Sequence, residues 1–331
     1  MKRVPVLLLV VVLLTGILTG CGNPVESFNK ASEKTERVNS AKVKFSSNVN
    51  IEFYEDSFTA EEKKELGKYK KVTVQGEYYF DKSKKENLNK INFNLAGKGV
   101  DLKIYGRKGE TYIVTPLLPK ILVIKEDDLK SFKMPGNVKM PFGFLDASGT
   151  KNPDVFISKE AVGKLSKYWI NLLKKGNIAR LGNIILSTPD GDVKARKFNI
   201  SLKEEHLKPA LKESLDILRE DMISKNPKNA KNLEKVFAQL EKMMDSAKIE
   251  KFLYEAYIDR DDYIVEDTVN LKISFPEDKS SGLVKSFELE TTSTMWDMEK
   301  PVTIDFPAIN KQNSMTLDEL QKRGEFPEGV F

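Results

Sequence analysis

The chain has 331 residues, a formal net charge of +5 and a single cysteine, Cys21. One cysteine excludes an intrachain disulfide, so stability has to come from a packed core, which a chain of this length can bury. The 54 Lys and Arg residues are interleaved with 49 acidic residues, which is typical of solvated surfaces, and no basic stripe with aromatic residues predicts nucleic-acid binding.

Residues 1–20 have the layout of a secretory signal peptide. A positive start, Lys2-Arg3, precedes an apolar run over residues 4–14 and a stretch of small residues. The apolar run is shorter than the roughly 20 residues that a membrane-spanning helix needs. The opposing interpretation is an uncleaved N-terminal membrane helix with an incidental cysteine.

The four residues that end this stretch, Leu18-Thr19-Gly20-Cys21, resemble the bacterial lipobox. The resemblance implies that the Cys21 sulfur receives a diacylglyceryl group and that Cys21 becomes the mature N-terminus. Two acyl chains, at about 0.8 kcal/mol per buried methylene, hold a protein on a bilayer. We therefore expect residues 21–27 to be a lipidated tether on the outer face of the cytoplasmic membrane, as in Gram-positive lipoproteins.

The first part of the mature chain is predicted to be one helix followed by strands. Apolar residues at helical spacing within residues 23–39 predict an amphipathic helix. An insert rich in Lys and Glu, residues 55–70, carries a second, short helix that starts near Thr59 and ends at Gly67. Alternating apolar residues predict strands at residues 43–53, 72–80, 88–95, 100–104, 112–115 and 120–124.

A long loop and a helix follow these strands. Residues 133–155 are rich in Pro and Gly, and loops of this length are often functional or mobile. Ser158 is the predicted start of a helix that runs to Lys175. Its apolar stripe includes Trp169.

The second half is predicted to hold a hairpin, two helices and another hairpin. The first hairpin joins residues 178–187 and 193–202. Ser201 and Glu204 have the spacing of a capping box, and Asn226-Pro227 is the predicted start of the next helix. The remaining strands are predicted at residues 252–258, 263–275, around 283–289, and 302–307.

The strand at residues 263–275 carries the most regular apolar stripe, in which only Asp267 is out of place. Such a stripe either fills a core or helps to enclose a lipid-sized cavity. Met222, Met243 and Met244 on the covering helices would suit a deformable lid. If there is a cavity, the side chains expected to line it are Phe93, Leu95, Phe252, Tyr254, Val265, Val269, Leu271, Ile273 and Trp296.

These elements together predict an α+β fold. About ten strands, mostly in consecutive hairpins, and four or five amphipathic helices indicate a large antiparallel sheet covered on one face by helices. No segment has the composition of an interdomain linker, so residues 28–331 are predicted to form a single domain. A division near residue 155 is the alternative.

This order of elements resembles the LolA-like superfamily of lipoproteins, which includes LolA, LolB and LppX-type proteins. Lipobox, amphipathic helix, long antiparallel strands, hairpin, paired helices and hairpin follow one another as they do there. The resemblance is greatest to uncharacterised Gram-positive lipoproteins with a turn such as residues 257–263 and a final segment such as residues 302–307. It implies an incomplete, strongly curved barrel whose apolar interior binds acyl chains in some members. The insert at residues 55–70 and the loop at 133–155 depart from the compact carriers.

The sequence shows no catalytic or metal centre. His206 is the only histidine, and metal sites and histidine-based catalysis need partners at set spacing. Ser27 to Lys30 and Ser148 to Lys151 match the S-x-x-K spacing of penicillin-binding proteins, but neither has a K-T-G partner. Asp259, Asp261 and Asp262 lack the later ligands and glycine of a calcium loop. No cofactor and no enzymatic activity are predicted.

The predicted function is that of a membrane-anchored, extracytoplasmic lipoprotein that binds or carries a lipid or another hydrophobic ligand. The alternative is a surface interaction or sensor lipoprotein with a filled core, which presents residues 133–155 and 55–70 to a protein partner. A solute-binding protein ranks lower, because that fold needs parallel strands joined by helices. An enzyme ranks last.

Overall fold

The computed structural model describes residues 24–56, 58–95, 97–125, 158–277 and 284–323. These residues contain six α-helices and twelve strands. The helices are α1 Pro24–Glu36, α2 Ala60–Gly67, α3 Lys159–Leu173, α4 Glu204–Lys225, α5 Ala230–Ser246 and α6 Leu317–Arg323. The strands are β1 Ser40–Phe53, β2 Lys71–Asp81, β3 Glu86–Leu95, β4 Lys98–Arg107, β5 Glu110–Val114, β6 Ile121–Lys125, β7 Asn177–Thr188, β8 Gly191–Ser201, β9 Lys248–Ile258, β10 Ile264–Ser274, β11 Val284–Trp296 and β12 Ser314–Thr316.

All twelve strands belong to one sheet in the order β12-β6-β5-β4-β3-β2-β1-β11-β10-β9-β8-β7. Neighbouring strands are antiparallel, apart from the parallel pair β12 and β6. The sheet is open, with β7 and β12 at its edges. The α+β class and the large, mostly antiparallel sheet are as predicted, with twelve strands instead of about ten.

Strand β1 joins the two halves of the chain. It pairs with β2 on one side and with β11 on the other, from Lys42 opposite Trp296 to Phe53 opposite Val284. Strands that precede and follow residue 155 therefore lie in one hydrogen-bonded sheet. Such a pairing of distant segments does not appear in the local sequence pattern, because it depends on which strands meet in space.

The main core combines side chains from helices and from one face of the sheet. Val49, Leu271 and Leu289 on neighbouring strands are nearly inaccessible to solvent and pack in the same cluster as Phe237 and Leu211 of the helices. We call this face of the sheet the inner face. Met222, Met243 and Met244 are buried in this cluster, so they are core side chains among the described residues.

The first helix begins at Pro24, inside the segment predicted to be a tether. Its buried side chains include Phe28, whose ring meets that of Tyr254 edge-on at 5.9 Å. The Thr35 hydroxyl accepts a hydrogen bond of 3.0 Å from the backbone N–H of Ile264. The helix is therefore part of the packed domain.

The predicted helix starts at Thr59, Ser158 and Glu204 are confirmed, but the capping box predicted for the last of them is wrong. Thr59 caps α2 in a capping box with Glu62, and the Ser158 side chain caps α3. The box predicted from Ser201 does not form. Ser201 is still paired in β8, so Lys203 is the N-cap residue of α4. Its side chain forms no capping hydrogen bond.

The segment at residues 302–307 is not a strand, which corrects the prediction. Val302 and Ile304 instead pack against Leu88 and Tyr105, on the opposite, outer face of the sheet, with Phe306 partly buried beside them. The apolar residues alternate in this segment because one side of it packs across the outer face of the sheet. The resulting sequence pattern resembles that of a strand. The short strand β12 was not predicted, since three residues carry no periodicity.

Candidate functional site

The inner face of β2, β3 and β4 carries an apolar surface that is only half-buried. Register aligns Val74 with Phe93 and Phe93 with Val100, then Ile91 with Leu102, and in the next row Asn89 lies between Tyr78 and Ile104. We call this surface the inner apolar strip; it consists of Val74, Tyr78, Ile91, Phe93, Val100, Leu102 and Ile104. Burial raises the pKa of the Tyr78 phenol, which stacks against Phe80 at 5.2 Å.

The inner apolar strip lies between two parts of the sheet that helices cover. On one side, Leu317 and Leu320 of α6 pack against Leu122 and Ile124 of β6. On the other side, helices α3, α4 and α5 contribute to the main core over β8 to β11. The strip side chains have intermediate exposure, whereas the core side chains beside them are nearly inaccessible. An apolar area therefore remains partly open to solvent.

Seven of the nine predicted lining residues lie on the inner face. Tyr254, Val269, Leu271 and Ile273 are buried in the main core. The remaining three are partly buried against it and lie nearer to its boundary: Phe93, Leu95 and Phe252. The sequence thus identified the inner face, but most of these positions fill a core instead of facing open space.

Val265 and Trp296 lie elsewhere. A β-bulge between Ile264 and Glu266 shifts the phase of β10, so Val265 packs in a separate cluster with Ala195 and Tyr257. Trp296 is opposite Lys42 in β1, on the outer face. An alternating pattern does not reveal a bulge, because one extra residue reverses the face of every residue before it.

Asp267 is a carboxylate on the mainly apolar inner face. It pairs with Ala256 of β9 and with Ser293 of β11. Burial disfavours the charged form and raises the pKa of Asp267 from 3.8 to about 7, and the neighbouring Glu266 carboxylate adds to the shift. Because β10 resumes its alternation after the bulge, Asp267 faces the same side as Val269 and Leu271. Its departure from the stripe was visible in the sequence.

Other polar groups surround Asp267 on the same face. The Thr291 hydroxyl donates a buried hydrogen bond of 3.0 Å to Ser47. The Tyr254 hydroxyl is fully buried near Asp267, and burial beside that carboxyl raises the pKa of the phenol well above its usual value. The interaction of Tyr254 Oη with the Asp267 carboxyl has a looser geometry than an ordinary hydrogen bond, and among the described residues Asn29 Oδ1 of α1 has no partner at that geometry. No sequence pattern indicated the serine and threonine members of this group.

A second candidate region is a cleft of about 910 Å³ across β1 to β5. Phe45, Gly76, Ile91 and Leu102 are paired across β1 to β4 and also line this cleft. The side chains of this row lie on the inner face, so its backbone forms the bottom of the cleft. We call it the outer cleft, because its side chains alternate with those of the inner face. They form two rows: Ser46, Gln75, Asn92 and Asp101, and Lys44, Glu77, Lys90, Lys103 and Val114.

The outer cleft is lined by charged side chains and by a larger amount of apolar surface, and it carries more lysines than carboxylates. Lys90 Nζ lies 2.8 Å from Glu77, and this hydrogen bond is the main reason that the pKa of Glu77 is lowered. Asn92 donates to Asp101 at 2.8 Å. Lys44 and Lys103, at either side of the Glu77–Lys90 pair, are exposed. Its exposed lysines are available to pair with an anionic group of a partner.

A smaller cleft of about 600 Å³ lies at the end of β7, β8 and β9. Arg180, Lys194 and Arg196 contribute to it, and Arg196 forms an ion pair of 2.5 Å with Asp262. Ile185 beside them is 66% exposed. This region combines basic groups with exposed apolar surface at the edge of the sheet.

The residues considered as catalytic candidates are spread over the surface. His206 is exposed. Lys30, the lysine of the first S-x-x-K match, forms an ion pair of 2.7 Å with Asp262. Asp259 accepts hydrogen bonds from the backbone N–H groups of Asp261 and Tyr263, as an ordinary turn residue does. Within the described ranges, no group of three or more His, Cys, Asp or Glu side chains is arranged to hold a metal ion.

Trp169 has a structural role in α3. Its indole N–H donates a buried hydrogen bond of 3.0 Å to Ser214, and its ring stacks against Phe252 at 6.4 Å. Cys21, the second S-x-x-K match and the loop at residues 133–155 lie outside the described residues. In the part of the chain that is described, no helix has both the length and the hydropathy to cross a bilayer.

Comparison with known proteins does not assign a family. No family model and no curated protein matches the chain. A solved structure of an uncharacterised conserved protein from Thermus thermophilus is similar, at 9% identity and a TM-score of 0.25, over 86% of this chain and 95% of that chain. A beta-barrel-like protein with a domain of unknown function from Brucella abortus is similar at 9% identity and a TM-score of 0.19, over 79% and 99% of the two chains. Likeness at these TM-scores carries no argument about function.

Proposed function

We propose that this protein is a non-enzymatic lipoprotein, anchored through Cys21 outside the cytoplasmic membrane, that binds a lipid or another hydrophobic ligand on the inner face of its sheet. The observation that carries the proposal is the inner apolar strip, whose side chains remain half-buried beside a densely packed core. Apolar surface that stays partly exposed next to a packed core is often the site of a partner or a ligand. The strip offers several apolar side chains for contact with an acyl chain.

The proposal includes the shape of the sheet. We expect the open sheet to curve into an incomplete barrel, of the kind that the LolA-like resemblance implies, with helices α3 to α5 over one face. In such a half-barrel the inner apolar strip would line the open part of the interior. The core residues Leu271, Ile273 and Val269 would close its end.

A matched pair of substitutions in β4 tests ligand binding. Ile104 lies on the inner apolar strip and its neighbour Lys103 faces the outer cleft. We expect Ile104→Gln to weaken binding of a fluorescent long-chain fatty acid about tenfold, because a buried amide loses its hydrogen bonds to water. Lys103→Gln should leave binding unchanged. Fluorescence titration of the full chain measures both.

Native mass spectrometry of the purified protein supplies an independent test. We expect co-purified lipid in the wild type and less of it in Ile104→Gln, with Lys103→Gln as the control. Equal binding by the wild type and both variants would place the ligand elsewhere, and the absence of any bound lipid from every preparation would refute the proposal.

The anchor needs its own experiment. We expect mass spectrometry of the full chain expressed in a bacterium to show a diacylglyceryl group on Cys21, and Cys21→Ser to release the protein from membranes. This follows from the two-chain requirement for stable anchoring. An unmodified Cys21 in a protein that stays membrane-bound would instead support an uncleaved membrane helix.

The outer cleft favours a second candidate function, a module that binds a polar protein partner. Lys44 and Lys103 flank it and are exposed. A photo-crosslinking group at Gln75 tests this: we expect a discrete cross-link in cells that the double variant Lys44→Glu/Lys103→Glu abolishes and Ile104→Gln does not. The insert at residues 55–70 is a weaker candidate for such contacts, because Leu66 of α2 is buried in the main core.

A further inference from the structure

The feature that carries a further inference is the polar group around Asp267, in the same sheet face as the inner apolar strip. The row that contains Asp267 continues through Ser293, Phe45, Gly76 and Ile91. Neighbouring strands lie about 4.8 Å apart, so the five steps from β10 to β4 span about 24 Å along the sheet. A polar end and an apolar end therefore lie on one continuous surface.

Asp267 lies at intermediate depth on the inner face and lacks a charge partner among the described residues. The residue is half-buried, as is Ser293 beside it. Within the described ranges no Lys, Arg or His nitrogen forms an ion pair with Asp267; the Glu266 carboxylate raises its pKa, and hydrogen bonds from the Tyr254 and Ser293 hydroxyls lower it. A carboxylate at this depth is costly unless a cation or a set of hydrogen-bond donors compensates it.

The Tyr254 hydroxyl forms the buried side of the same polar group. It is completely buried and interacts with the Asp267 carboxyl, at a geometry looser than that of an ordinary hydrogen bond. Buried hydroxyls in folded proteins are almost always hydrogen-bonded. Asp267, Tyr254 and Ser293 thus form a polar group that has hydrogen bonds but no cation among the described residues, at the end of an apolar surface.

We propose that the ligand of the inner face is a long-chain molecule with a protonated amine as its head, which Asp267 and Ser293 bind while the chain lies over Phe45 and along the inner apolar strip. This inference rests on the proposed function and adds the chemical class of the ligand. An ammonium group donates three hydrogen bonds, which are enough for the Asp267 carboxylate and a neighbouring hydroxyl. A carboxylate head would instead place two negative charges together.

Three probes with the same chain and different heads test the inference: tetradecylamine, tetradecanol and tetradecanoate. Their affinities for the full-length protein are measured below their micelle concentrations at pH 8 by displacement of Nile red. We expect the wild type to bind the amine most tightly. Asp267→Asn should weaken amine binding about tenfold to a hundredfold, the range for a lost charged hydrogen bond, and should change alcohol binding less than about twofold.

Asp101→Asn, an exposed carboxylate of the outer cleft, is the matched control and should change none of the three affinities. Asp267→Ser provides a second variant of different size, and circular dichroism confirms that both variants fold. If all three probes bind equally to the wild type and to Asp267→Asn, the head-group inference is wrong and the proposed apolar site stands. If none of the probes binds the wild type, both are wrong.

Discussion

Asp267 and Asp297 show how position on the sheet sets the charge state of a single residue. Burial raises the pKa of Asp267 to about 7. Hydrogen bonds from Lys300, and then from Lys42, lower the pKa of Asp297 to about 2. A carboxyl group whose pKa is raised by folding lowers the free energy of unfolding once the pH is high enough to ionise it in the unfolded chain. A carboxyl group whose pKa is lowered by folding increases that free energy when it is ionised.

The first prediction concerns the pH dependence of stability. The folded protein keeps the Asp267 proton up to a pH of about 7, whereas the unfolded chain releases it near pH 4. The contribution of Asp267 to the free energy of unfolding is therefore fully present below about pH 4 and is lost as the pH rises to 7. We expect Asp267→Asn to gain about 1 to 4 kcal/mol relative to the wild type over this interval. Urea denaturation at several pH values measures the gain.

Asp297→Asn provides the contrasting variant. Its ion pairs are present above the unfolded pKa and are lost only as the pH falls from about 4 to 2. We expect this variant to be less stable than the wild type by a nearly constant amount, about 1 kcal/mol, between pH 5 and 7.5. If Asp267→Asn shows the same flat difference, Asp267 is ionised in the folded protein and the raised pKa is incorrect.

Gly76 is a position where a methyl group does not fit. A Cβ atom there would lie 2.2 Å from the Lys90 carbonyl oxygen and 2.6 Å from the ring of Phe45. We expect Gly76→Ala to lower the free energy of unfolding by about 2 to 4 kcal/mol, because a rigid backbone atom has to move. Gly67→Ala is the control. Nothing lies within 4 Å of its Cβ position, so the same change should be neutral in thermal and urea denaturation.

At the scale of elements, α3 and α4 are joined by one buried hydrogen bond. Trp169 Nε1 donates to Ser214 Oγ, which in turn donates to the Ala210 carbonyl oxygen. We expect Ser214→Ala to cost about 1 to 3 kcal/mol, because the indole N–H stays buried without an acceptor. Ser224, whose hydroxyl donates to the Asp221 carbonyl oxygen at the exposed end of the same helix, is the matched control.

Ser224→Ala should change stability by less than about 0.5 kcal/mol. The fluorescence of Trp169 in the folded protein gives a second measurement, since only Ser214→Ala alters the polar contact of its ring. Equal stability losses in the two variants would show that the Trp169–Ser214 bond contributes nothing specific.

Sequence patterns were sufficient to predict some of the helix starts. The capping box of Thr59 and Glu62 and the start at Ser158 were predictable, because an N-cap needs only residues within one turn. The predicted box at Ser201 failed because cross-strand pairing keeps Ser201 in β8. Residues 302–307 have strand-like alternation and lie across the outer face without pairing as a strand.

At the scale of the whole molecule, β11 connects the two parts of the sheet, because it pairs with β1 on one side and with β10 on the other. Leu289 is opposite Val49 of β1 and Leu271 of β10, and it is completely buried. We expect Leu289→Ala to cost about 2 to 5 kcal/mol. Because the sheet is continuous, both parts of the chain should lose stability together.

Two tryptophans allow this to be measured. Trp169 lies in α3 and Trp296 at the end of β11, and the chain has no others. Urea unfolding followed by the fluorescence of Trp169→Phe and Trp296→Phe proteins should give the same midpoint as far-ultraviolet circular dichroism, with and without Leu289→Ala. Separate midpoints would show that the chain unfolds as two units divided near residue 155.

The sequence alone determined the α+β class, most of the helices and strands, and the inner face to which residues such as Leu271 and Ile273 belong. It also identified Asp267 as the exception in an apolar stripe. Hydrophobic periodicity carries this information because it depends on the dihedral geometry of a few neighbouring residues. The signal layout before Cys21 belongs to the same local kind of information.

Only the tertiary structure decided which faces and segments meet. The pairing of β1 with β11, the bulge that turns Val265 away, and the outer-face position of Trp296 all depend on contacts between residues far apart in the chain. The half-buried state of the inner apolar strip likewise depends on how far the helices reach over the sheet. The strand register and the extent to which helices cover the sheet are properties of the packed chain. A local alternation of side chains is compatible with many registers and many helix positions.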